Sequence, residues 1–170
     1  LKTVELLRPW SISLDSDASL DKEHIKVILI LLSDSERTIS DIRTSRKEFS
    51  LAEDHLKRAL SYVKRYEGEA KAKTERLLSV LKDYCNLRGR EGDFLGALSF
   101  AEEAYNCAAE AYNPVHPEVQ DAASKLIQSL IHTGNLQSAE TFAQMTLDSL
   151  RDPANKMDQE GEEVGIGYYD

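Results

Sequence analysis

Apolar positions along this 170-residue chain recur mostly at intervals of three and four, the spacing that sets one face of an α-helix against a core. The period-two alternation of a half-buried strand is hard to find. The pattern predicts an all-α chain with helices near 21–32, 34–46, 49–66, 69–89, 93–111, 117–132, 135–150 and 159–170, and a further short helix at Leu1–Leu7. "RPWSISLDSDAS" (Arg8–Ser19) reads as a polar connector that Trp10 would pin to the body. The chain begins at Leu1 without methionine and ends inside a predicted helix, as expected of a piece of something longer.

The pattern also repeats. "LAEDHLKRAL" (Leu51–Leu60), "GALSFAEEAY" (Gly96–Tyr105) and "SAETFAQMTL" (Ser138–Leu147) align on Ala52, Ala97 and Ala139. Four residues on stands Leu56, Ala101 or Ala143, and three further Ala59, Ala104 or Thr146, the one-face spacing of a closely packed helix. Gly92 and Gly134 each stand five residues before the aligned alanine. Glycine there suits a left-handed helix stop, after which Asp93 or Asn135 would cap the next helix. The two glycines are 42 residues apart, whereas Ala52 to Ala97 is 45 and Lys47 stands where the first unit should have its glycine. That unit reads as a divergent or terminal repeat.

These residues resemble tetratricopeptide repeats. The 42-residue interval and "HPEV" (His116–Val119) ahead of Gly134 are most similar to the long repeats of kinesin light chains, over about Ser33 to the C-terminus. Cys85 and Ile127 depart from the pattern, standing where that family has Gly or Ala. The resemblance implies a right-handed superhelical solenoid of antiparallel helix pairs. Its parts would be an N-terminal segment and connector (1–20), a divergent repeat (21–68), two repeats (69–113 and 114–155) and the first helix of a truncated one (156–170). Small residues (Ala52, Ala97, Ala104, Ala139, Ala143) would let helices approach. Leu56, Leu60, Leu98, Phe100, Leu126, Leu130, Phe142 and Leu147 would fill between them.

Composition adds bounds. Apolar residues at 41% and charged residues at 30% suit a soluble globular chain. The net charge of −9 is uneven: residues 91–170 carry 3 Lys and Arg against 15 Asp and Glu. Such a field repels nucleic acid and anionic membrane and favours a basic partner if any. The longest apolar run, "VILILL" (Val27–Leu32), is too short to cross a bilayer. Cys85 and Cys107 form no CxxC or Cys/His cluster, so reduced thiols in a cytoplasmic protein are expected.

Candidate chemistry is sparse. In "NPVHPEVQ" (Asn113–Gln120), proline is favoured in the first helical turn and Glu118 meets the positive end of the helix dipole, so His116 reads as the mark of a helix start. His24, His55 and His132 share no metal-ligand spacing with it. Neither cysteine has an adjacent histidine, and no GxSxG, Walker or dinucleotide motif appears. The neighbouring carboxylates Glu102–Glu103 and Glu162–Glu163 splay around a helix. No cofactor, metal or catalytic residue is expected.

What remains is the groove that the repeat resemblance implies. Its inward polar positions would be Ser79, Lys82, Asp83, Asn86 and Arg90 from one helix, and Asp121, Ser124, Lys125, Gln128 and His132 from the next. Asn and Gln can grip a peptide backbone through donor and acceptor together. A basic clamp for doubly acidic chaperone tails is only half present: Lys82 and Asn86 match, but Lys125 replaces an asparagine and Glu163 and Gly167 replace basic residues. The expectation is a scaffold that binds an extended segment of a protein partner, without chemistry. The alternative is a helical accessory or regulatory domain of a larger enzyme. Self-association through the helix face near Ile166 and Tyr168 is a third expectation.

Overall fold

The structure, a computed structural model, describes residues 21–152. Within them lie six α-helices and no strand: α1 (Lys22–Ser45), α2 (Phe49–Arg65), α3 (Ala70–Glu91), α4 (Phe94–Ala111), α5 (Pro117–His132) and α6 (Leu136–Arg151). Leu1–Leu7, Trp10, the 159–170 helix and the Ile166/Tyr168 face lie outside the described residues.

From α2 onward the predicted spans hold to within a few residues, but α1 is one helix where two were expected. The break expected at Ser33 has no glycine or proline to make it, and Ser33 is buried rather than exposed in a turn. Its hydroxyl donates to the Ala59 carbonyl of α2 at 3.4 Å. Leu29, Leu32, Glu36, Ile39 and Ser40 continue one buried stripe through the supposed break.

Three of the five connections are the same turn. Lys47, Gly92 and Gly134 hold φ of 60°, 90° and 78°. In each case the next N–H reaches five residues back at 2.9 Å: Glu48 to Arg43, Asp93 to Arg88, Asn135 to Leu130. That bond, with the left-handed residue before it, is the Schellman closure of a helix end. Lys47 therefore occupies the glycine position in geometry as well as in sequence. Asp93 caps α4 as expected, accepting from the Gly96 N–H at 2.9 Å. Asn135 stands at the cap position of α6 but turns its amide to the Thr133 hydroxyl at 3.1 Å, so its side chain does not cap the helix.

Short turns force sequential neighbours antiparallel. Pairs between α1 and α2 run in opposite sense, with Ser33 over Ala59, Glu36 over His55 and Arg43 beside Glu48. The odd-numbered helices run parallel instead. Asp34, Arg37 and Ser45 of α1 meet Arg76, Asp83 and Arg90 of α3 at 3.4, 2.6 and 3.3 Å. One helix further, Lys82 and Cys85 of α3 meet Glu118 and Ser129 of α5 at 2.6 and 3.7 Å.

The core is a series of linked clusters between neighbouring helices. Ala52, Leu56 and Ala59 of α2 pack on Val80, Tyr84 and Leu87 of α3. Leu78 and Leu81 then meet Ala104 and Ala108 of α4 and Val119 and Ala122 of α5. Cys85, Ala97, Ala101, Leu126, Leu130 and Ala139 carry the packing on to α6. The expected small positions are almost wholly buried, with Ala52, Ala97, Ala104 and Ala139 at 0–5% exposure, and Ala143 is half-buried. Tyr84 stacks on Phe100 at 4.6 Å, which bolts α3 to α4. Leu147 is a correction: expected in the core, it is 46% exposed. Among the described residues α6 packs mainly on α5, with Phe142 edge-on to Tyr105 of α4 at 4.9 Å, and only Ala139 of α6 is buried.

Candidate functional site

The C-terminal halves of α3 and α5 and the first turn of α4 enclose an open cleft of about 350 Å³. Helical spacing puts Asn86 and Arg90 on its α3 wall, and Lys125, Gln128 and His132 on its α5 wall. The floor is Cys85, Ser129 and Ala97, and Phe94 closes one end by stacking on His132 at 5.3 Å. The Gly92 turn sets Phe94 there, because it folds α4 back beside the end of α3.

Five of the ten predicted groove residues thus share one cavity, and the other five lie elsewhere. Lys82 sits on the same side of α3, one turn earlier, but between Glu118 at 2.6 Å and Asp121 at 2.7 Å. Burial works against its charge, yet the hydrogen bonds it donates to Asp121 and Glu118 outweigh this and raise the pKa above the ordinary lysine value. Lys82 and Asp121 therefore serve each other first. Asp83 accepts from Arg37 at 2.6 Å; burial raises its pKa, and the nearby Arg37 charge only partly offsets this. Ser79 donates to the Glu75 carbonyl of its own helix at 2.9 Å. Ser124 is exposed and does not line the cleft.

Sequence reasoning missed the floor and the end wall. Cys85 and Ser129 are adjacent to Asn86 and Gln128, so they point inward between the helices while their neighbours point out. The turn spacing could have found Phe94, two residues beyond Gly92. Burial raises the pKa of the Cys85 thiol, and the Ser129 hydrogen bond and the Lys125 charge only partly oppose it. The thiol at the floor is protonated at neutral pH and weakly nucleophilic.

His116 stands where its sequence placed it. It is the N-cap of α5, its Nδ1 accepts from the Glu118 N–H at 3.2 Å, and its ring stacks on Tyr112 at 4.1 Å. Among the described residues no group of three His, Cys, Asp or Glu side chains is arranged to hold a metal. No helix among them is long and apolar enough to cross a membrane. Compared with protein-family models, with curated proteins and with solved structures, the chain finds no match.

Proposed function

We propose that the chain is a protein-interaction module, a tetratricopeptide-like solenoid of helix pairs whose concave side takes an extended segment of a cytoplasmic protein partner. The observation that carries this reading is the cleft between α3 and α5, where the carboxamides of Asn86 and Gln128 stand on opposite walls. A carboxamide offers donor and acceptor together, so a pair can hold the main chain of a peptide of any sequence, as a scaffold requires. Three equivalent turns and the parallel run of α1, α3 and α5 support the repeat architecture. In this reading the kinesin-light-chain-like interval reflects helix lengths shared with those repeats, and function lies in binding alone.

The test is capture of partners by the wild-type chain and by the Asn86→Ala/Gln128→Ala variant, with thermal melts of both. Both residues are exposed, so the variant should keep its melting temperature. It should lose the partner that the wild type retains. Equal retention by the two would move the interface off this face.

A further inference from the structure

The described residues include five glycines, and four have a reason in the fold. Gly92 and Gly134 hold positive φ in the helix-ending turns. A Cβ on Gly96 would strike the Asp93 carboxylate that caps α4, and one on Gly68 would strike the Tyr66 ring. Gly89 is different. It lies in α3 with helical backbone, and a Cβ there would meet nothing within 4 Å. Glycine inside a helix is less stable than alanine, so neither backbone nor packing accounts for it. The space a side chain would enter at Gly89 is the cleft itself.

The cations beside that bare stretch of helix both line the cleft without a carboxylate partner among the described residues. Lys82, Arg37, Arg43 and Arg88 each pair with carboxylates. Among the described residues, Arg90 and Lys125 have no carboxylate at ion-pair distance, and Arg90 donates only to the Ser45 hydroxyl at 3.3 Å. Two unpaired cations on opposite walls of one cleft, in a chain of net charge −9, give it a local sign opposite to the whole molecule.

We infer that the cleft takes an extended acidic segment, with its main chain passing over Gly89 and its carboxylates reaching Arg90 and Lys125. The inference rests on the peptide-groove reading and adds to it the charge of the ligand and the point of closest approach. A methyl group at position 89 would fill the approach without disturbing the fold. Neutralising the two cations would remove the preference for acid and leave the carboxamide grip.

The experiment titrates the full chain with fluorescein-labelled decapeptides carrying several glutamates, and with the same peptides carrying glutamine instead, read by anisotropy. Wild type should bind the glutamate set about tenfold tighter than the glutamine set, the order expected of charge-assisted contacts. Gly89→Ala should melt higher than wild type yet bind the glutamate set about fivefold more weakly or worse. Arg90→Gln/Lys125→Gln should bind both sets alike. No binding of the glutamate set, no preference in the wild type, or undiminished binding by Gly89→Ala would each overturn the inference. If both sets bind the wild type alike and Asn86→Ala/Gln128→Ala weakens both, the acidic preference fails and the groove reading stands. If that variant weakens neither set, the groove reading fails with it.

Discussion

At Lys47 a lysine holds φ of 60° and closes the same hydrogen-bonded turn that Gly92 and Gly134 close elsewhere. A side chain in that left-handed region costs about 1–2 kcal/mol, and glycine gives back about 0.5–1 through its freer unfolded state. Lys47→Gly should therefore stabilise the chain by about 0.5 kcal/mol in a denaturant titration; a loss would mean that the three turns are not equivalent. Glu36 is the opposite kind of residue, a wholly buried carboxylate that meets His55 Nδ1 at 2.5 Å and Arg58 Nε at 3.1 Å. Glu36→Ala would leave the His55 ring without its partner and open a gap in the core, so it should cost about 2–4 kcal/mol. A cost below about 1 kcal/mol, typical of a surface pair, would contradict that assignment. Lys47 was legible from the repeat spacing. Glu36 was not, because a glutamate in a predicted helix reads as solvent-facing; its one clue is its place between Leu32 and Ile39 in the apolar stripe.

Between elements, α3 is the helix on which α1, α2, α4 and α5 converge. Tyr84 stacks it on α4, Lys82 ties it to the first turn of α5, and Arg37 of α1 reaches back to its Asp83. Burial pushes the Tyr84 hydroxyl up to about 12, from an ordinary value of 10.0, and Lys82 is raised as well. In both cases the unfolded chain gives up its proton first as pH rises. The stability these groups contribute is therefore whole below pH 10 and lost as pH climbs toward about 12. Urea titrations from pH 8 upward should show that loss, and Tyr84→Phe should make it shallower; an equally steep loss in the variant would remove Tyr84 as a cause. Helix boundaries from α2 to α6 were legible because proline, glycine and capping residues mark them. The continuity of α1 was not, since a Ser-Asp-Ser sequence reads as a break until Ser33 is seen bonding to Ala59.

Across the described residues one packing relation recurs in two helix pairs: alanines of α4 and α6 meet large residues of α3 and α5, with a left-handed turn between. The overall charge pointed toward a basic partner, whereas the cleft is lined by Arg90 and Lys125, which have no carboxylate at ion-pair distance among the described residues. A sum over 170 residues hides a local reversal that appears once α3 and α5 lie side by side. Half of the expected groove positions meet in one cleft, as helical spacing allows. The others lie outside it, and a polar residue on the right face can be taken by a neighbour, as Lys82 is by Glu118 and Asp121. Groove binding itself is tested most directly by placing a photo-crosslinking amino acid either at Gln128, in the cleft, or at Glu102, on the exposed side of α4. The partner that the wild-type chain captures should crosslink from position 128 and not from 102. Crosslinking from 102 alone would contradict the account and place recognition on the opposite face.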